Sequence, residues 1–148
     1  MTVTDTASTT RFVPWPEVPK TVEVLARIDV LGPGWRERSR ALDEGVEFPH
    51  ENFAEAKAAG LHALCLPTEY GGAGYWLPGR YSPWYQALER MARWETNTAQ
   101  LIQVHNHAAG IIAWHSTPEQ RDRFLPEIAD GALCASLGSE AHLYENGA

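Results

Sequence analysis

Lysine is nearly missing from this chain: Lys20 and Lys57 are the only two among 148 residues, and the net charge is −7. The arginines are scattered instead of forming a stripe. Without a concentrated cationic surface, nucleic acid is not expected as a partner, because phosphate backbones are held by clustered Lys and Arg. Cysteine is equally scarce. Cys65 and Cys134 lie far apart in apolar surroundings, which reads as buried thiols in a reducing compartment, not as a disulfide framework. No apolar run approaches the roughly 18 residues of a membrane span. The first twelve residues, MTVTDTASTTRF, lack the basic start and apolar stretch of a secretory signal. These absences predict a soluble, cytoplasmic protein. Several catalytic signatures are missing as well: no Gly-x-Ser-x-Gly elbow, no His-Glu-x-x-His and no paired-cysteine motif.

What is present is ordinary globular composition, 44% hydrophobic and 21% charged, at a length that suits one domain with one real core. Residues 1–19 are expected to be a disordered and then extended lead, since VPWPEVP holds three prolines. Helical patterning starts at Thr21 and runs to Val30. It is expected to break at Gly32, Pro33 and Gly34, resume at Trp35, and stop at Gly45. Pro49 is read as the first residue of the next helix and Gly60 as its left-handed cap. The apolar run LHALCLP, 61–67, is then too short for a helix and is read as a buried extended segment. After a long loop over 67–81, Ser82 and Pro83 form a helix start, with Trp84, Leu88 and Met91 on its buried face. A further helix from Asn97 or Thr98 to about Trp114 is apolar on most sides and therefore central. Thr117, Pro118, Glu119 and Gln120 make a capping box for a last helix, expected to be disturbed at Pro126 and stopped by Gly131. The fold class is all-α: an orthogonal or up-and-down bundle of five to six helices over residues 20–135.

Two constellations could carry chemistry. PTEYGGAGYW, 67–76, is glycine-rich, and Gly74 to Tyr81 has the glycine spacing of a phosphate-binding loop. Arg80 stands where that loop needs lysine and Tyr81 where it needs Ser or Thr, so a structural turn is the better reading. Gly72, Ala73 and Gly74 start a dinucleotide fingerprint that Leu77 breaks. Among six histidines, His105 and His107 are two apart and point to different faces of a helix, and no carboxylate joins His115 at helical spacing. Buried or hydrogen-bonded histidines are favoured over metal ligands, so no metal site and no catalytic residue is assigned.

The order of these pieces resembles the acyl-CoA dehydrogenases. AGLHALCLPTEYGGAGY is similar to the family's helix ending in Gly-Leu, a short apolar run, and Pro-Glu-Glu-Tyr-Gly-Gly-x-Gly. Gly60, Leu61, Pro67, Glu69, Tyr70, Gly71, Gly72 and Gly74 match, with Thr68 in place of one Glu. HSTPEQRDRFLPEIADG resembles the family's Gly-Thr-Glu-Glu-Gln-Lys…Leu-Pro-x-Leu-Ala-x-Gly through Thr117, Glu119, Gln120, Leu125, Pro126, Ala129 and Gly131. The resemblance covers about residues 20–142. It implies the N-terminal helical domain of an FAD-dependent oxidoreductase whose full subunit adds a β domain and a C-terminal helical bundle. That bundle carries the glutamate base in most members, so none of this chain's residues takes the role.

The family's flavin-contacting segment maps onto 136–148, which the resemblance makes the start of a truncated β-domain segment. Ser139 and Glu140 match it, whereas the usual aromatic, aliphatic and proline positions do not. The resemblance implies Ser136, Gly138 and Ser139 as cofactor-binding residues, through the Ser139 hydroxyl and the backbone N–H groups of 138 and 139. It further implies an acyl-CoA or similar small-molecule substrate, a homo-oligomeric parent, and a chain that is inactive alone. A flavin-dependent monooxygenase of the same superfamily, or a non-catalytic helical partner-binding module, are the alternative readings. Apolar faces meant for the missing domains are expected to be exposed.

Overall fold

A computed structural model of the chain describes residues 15, 18–76 and 81–135. Among these residues there are five α-helices and no strand: α1 (Thr21–Gly45), α2 (His50–Ala58), α3 (Tyr81–Trp94), α4 (Thr96–His115) and α5 (Pro118–Ala129). Two 3-10 turns, Leu61–Ala63 and Thr68–Tyr70, lie between α2 and α3. α1 packs on α3, α3 on α4 and α4 on α5, while α2 and the Leu61–Ala63 turn close one side of α4. The all-α bundle expected from the patterning is therefore the fold.

α4 is the central helix, as its composition suggests. Thr98, Ala99, Ile102, His105, Asn106, Ala108, Ala109, Gly110 and Ala113 are all buried. Its first half meets a core built on Val24, Ile28, Trp35, Trp84 and Met91. Its second half meets a smaller one built on Leu66, Leu125 and Ile128.

Several local readings are corrected by tertiary packing. α1 runs unbroken through Gly32, Pro33 and Gly34. Pro33, whose missing N–H leaves the Asp29 carbonyl without its helical partner, is exposed. Gly32 is buried because the Trp94 indole lies directly on it; a Cβ there would sit 2.2 Å from the ring. The Asp29 carboxylate accepts from Trp94 Nε1–H at 3.0 Å and pairs with Arg90, which ties α3 across the same turn. α1 does end at Gly45, as expected, and the left-handed residue after it is exposed Val46, at φ 51.

Pro49 is the N-cap of α2, not its first helical residue. The 61–67 run is a 3-10 turn with flanking turns, not an extended segment; its apolar side chains Leu61, Ala63, Leu64 and Leu66 are fully buried in this coiled form. α3 begins at Tyr81, so Ser82 lies inside its first turn. α4 begins at Thr96, capped by Glu95, whose carboxylate accepts from the N–H groups of Asn97 (3.0 Å) and Thr98 (2.6 Å). The capping box of α5 forms as expected from Thr117 and Gln120. Pro126 is exposed and does not disturb that helix. Gly131, at φ +103, ends it with Gly131 N–H donating to Ile128 O and Ala132 N–H to Glu127 O, each at 2.9 Å.

Candidate functional site

The glycine loop could be a site only if its N–H groups were free to meet a ligand. They are not. Tyr70 and Gly72 N–H donate to Pro67 O, and Gly71 N–H to Thr68 O. Ala73, Gly74 and Tyr75 N–H donate to Ala63 O (3.0 Å), Leu66 O (2.8 Å) and Leu64 O (2.9 Å). The loop spends this whole row of donors on the 61–68 segment, and that segment approaches so closely that a Cβ on Gly72 would lie 2.2 Å from Leu66 O. The loop is a structural turn.

Behind it, the same segment is fastened to α4. Buried Asn106 accepts from Cys65 N–H at 3.0 Å and donates to Leu61 O at 3.0 Å and Ile102 O at 3.1 Å. The preceding residue, His105, donates Nε2–H to His62 O at 3.1 Å. His62 in turn donates Nε2–H to Ala129 O, also at 3.1 Å, linking the turn to the end of α5. The two imidazole rings stack with centroids 6.2 Å apart. Burial lowers both their pKa values, that of His62 to about 4, so both rings are neutral near neutral pH.

The other nitrogen of His105, Nδ1, accepts the peptide N–H of Cys134 at 3.2 Å. This bond steers the residues that follow α5, Ala132–Ala135, across α4. Burial pushes the Cys134 thiol up to about 11, so it stays protonated and is not a thiolate nucleophile. With Nε2 donating and Nδ1 accepting, His105 has no lone pair left for a metal. His107 is edge-on to Trp76, 5.3 Å between centroids, and His115 is exposed at the end of α4. Among the described residues no group of three His, Cys, Asp or Glu side chains could hold a metal ion.

Between α2, α4 and Ala132–Ala135 lies an open apolar groove. One cavity of it, about 170 Å³, is lined by Phe48, Phe53, Leu101, Val104, His105, Leu133, Cys134 and Ala135, and a larger one of about 490 Å³ shares Phe48 and Leu101 with it. A further cavity of about 140 Å³ continues past Phe48 and Leu133 to His62 and Lys57. Phe48 and Phe53 stand 4.9 Å apart, centroid to centroid. Phe48, Leu133 and neighbouring Val46 are among the exposed large hydrophobics of the chain, in keeping with the uncovered apolar surface expected from the sequence. Ala135, the last described residue, is among those that line the groove. Ser136, Gly138 and Ser139 themselves lie outside the described residues.

Comparison with known proteins now places the chain. The family model "Acyl-CoA dehydrogenase, N-terminal domain" matches residues 19–132. The chain belongs to the acyl-CoA dehydrogenase N-terminal domain family. It is 29% identical over 98 residues to a short-chain specific acyl-CoA dehydrogenase of Clostridium acetobutylicum, covering 66% of this chain and 25% of that protein. It is 36% identical over 112 residues to the acyl-CoA dehydrogenase FadE12 of Mycobacterium tuberculosis, covering 68% and 27%. An isobutyryl-CoA dehydrogenase of Dictyostelium discoideum is 30% identical over 94 residues, covering 64% and 22%. The chain thus spans about a quarter of the length of these curated relatives. No solved structure matches it. No helix among the described residues is long and apolar enough to cross a membrane.

In this acyl-CoA dehydrogenase N-terminal domain, the groove residues were invisible as a site because Leu101, Val104, Phe53 and Leu133 look like ordinary core. The one available signal was His105, a histidine within the most apolar helix.

Proposed function

We propose that this chain forms the helical wall of the flavin and acyl pocket in an FAD-dependent acyl-CoA dehydrogenase-type oxidoreductase. One observation carries the reading: an apolar groove along α4 opens beside Ala132–Ala135, directly before the segment matched to the family's flavin contact. Its walls are alkyl and aromatic, and the polar atoms of His105 are turned into internal hydrogen bonds. Such a lining suits an acyl tail and the edge of a flavin ring.

In this reading Ser136, Gly138 and Ser139 hold the flavin ring, through the Ser139 hydroxyl and the 138 and 139 N–H groups. A bound FAD would supply two-electron oxidation of the acyl thioester. The described residues contribute binding, orientation and exclusion of water: Phe48, Phe53, Leu101 and Leu133 enclose the tail. The proton-abstracting base and the covering surfaces belong to parts of the relatives that this chain does not span.

The test uses the 148-residue chain, ¹⁵N-labelled. Titration with octanoyl-CoA is expected to shift or broaden the amides of Leu101, Val104 and Leu133 and leave α1 unmoved. Added FAD is expected to keep its free spectrum, without acyl-CoA-dependent bleaching. Perturbation centred on the glycine loop, or no perturbation, overturns the groove assignment. Stoichiometric FAD binding with turnover overturns the claim that the chain needs further domains.

A further inference from the structure

Ala132–Ala135 follows the closed end of α5 and is hydrogen-bonded to α4 at Cys134. The Cys134 N–H donates to His105 Nδ1 at 3.2 Å, and its thiol lies 3.5 Å from both His105 Nδ1 and His105 O. Sulfur is a weak partner, so the N–H bond is the one that fixes the direction. Leu133, Cys134 and Ala135 all line the 170 Å³ cavity. The position of this segment therefore sets the shape of the groove.

We propose that His105 is a positioning residue that works as a protonation-sensitive latch: its neutral imidazole holds the Cys134 peptide N–H and closes the groove wall, and its imidazolium releases that wall. The reason is donor and acceptor arithmetic. A neutral ring with Nε2–H on the His62 carbonyl has one lone pair, at Nδ1, and the Cys134 N–H occupies it. An added proton can enter only at Nδ1, where it faces another N–H donor. The two donors repel, and Ala132–Ala135 must move away.

Backbone hydrogen bonds to His62 and Cys134 favour the charged ring, but burial outweighs them. From the Leu61–Ala63 turn, His62 faces His105 as a stacked ring; from the outgoing segment, the Cys134 thiol faces it. α2 contributes Phe48-side apolar wall through Phe53, while its Lys57 and His50 line the adjoining cavity beside His62. α5 presents the Ala129 carbonyl, bound to His62. None of these groups is a carboxylate, so an imidazolium at 105 gains no counter-ion. Burial holds the ring pKa below its ordinary value, which keeps the latch closed at neutral pH and places release on the acid side. By linkage, an occupant that needs the closed wall lowers the His105 pKa further.

The latch goes beyond the flavin reading and does not require it: the chain could bind acyl groups with a fixed wall, or open its wall in acid with no acyl affinity. It is tested on the 148-residue chain without ligand. The His105 ring nitrogens are titrated by NMR alongside the protection of the Cys134 amide against hydrogen exchange, corrected for intrinsic rates. The Ala73 amide, held by Ala63 O, reports on the fold. As His105 protonates, Cys134 protection is expected to fall about tenfold, the loss of one hydrogen bond, while Ala73 stays protected. His105→Gln is expected to abolish the pH dependence of Cys134 protection. Cys134 protection that ignores His105 protonation, or that is lost only together with Ala73, overturns the latch. The wild-type titration decides the matter even if the variant does not fold.

Discussion

Replacing Gly72 with alanine isolates what the glycine loop does. The new Cβ would lie 2.2 Å from Leu66 O, 2.4 Å from Leu66 Cβ and 2.5 Å from Leu66 C. Two of these atoms are backbone, so no rotamer change relieves the overlap. The loop must lift by nearly an ångström, which breaks the 2.8 Å bond from Gly74 N–H to Leu66 O and stretches those from Ala73 to Ala63 O and Tyr75 to Leu64 O. Leu64, Leu66 and Ala73 are fully buried and Tyr75 nearly so, so the freed groups find no water at once. With about 1 kcal/mol per lost bond and a further penalty for each unsatisfied group, the cost is about 3 kcal/mol. For a chain of this size that lowers the melting temperature by roughly 10 °C. Urea denaturation followed by circular dichroism measures it. The control is Gly45→Ala, whose Cβ meets the Glu47 side chain at 3.3 Å and should be neutral or stabilising by up to about 1 kcal/mol. A Gly72→Ala midpoint indistinguishable from wild type would refute the close-approach account.

Other outcomes follow from the same geometry. Asn106→Ala should cost about 3 kcal/mol in urea titration, because it strands Cys65 N–H and Leu61 O in the core and leaves a cavity. Thr117→Ala, losing only an exposed N-cap, should cost about 1 kcal/mol. Stability should fall in acid. His62 has a folded pKa of about 4 against an ordinary 6.5, so the unfolded chain binds the proton more readily between those values. Its contribution is complete above pH 6.5 and is lost as pH drops towards 4, about 3 kcal/mol over the window, and His105 acts in the same direction. Urea midpoints measured across this range check the sign; a chain equally stable at both ends would overturn it.

Much of the fold was legible because the signals for it are local. The capping box at Thr117, the left-handed Gly60 and the apolar wrap of α4 each follow from residues within one or two turns. The misreadings share a different cause. Gly32 and Pro33 look like a break until Trp94, 62 residues on in sequence, is seen lying on the glycine, while the proline is exposed. The 61–67 run looks extended until Asn106 and the glycine loop are seen consuming its backbone groups as turns. In both places a distant side chain or loop decides a local conformation, and no window of sequence contains that information.

The groove shows the same limit in its sharpest form. Each lining residue is unremarkable alone: Phe53 is core, Leu101 and Val104 continue a helical stripe, and Leu133 is an exposed leucine after a helix. They become a site only because α5 ends at Gly131 and the next residues fall across α4 at His105. That placement depends on one nitrogen lone pair meeting one peptide N–H, 29 residues apart. The glycine loop, which looked chemical, has the N–H groups of residues 70–75 used within the fold. The histidine, which looked structural, holds the Cys134 peptide N–H beside the groove. In this domain the residues that identify the family and the residues that shape its cavity are therefore different sets, joined through the 61–66 segment that both of them bind.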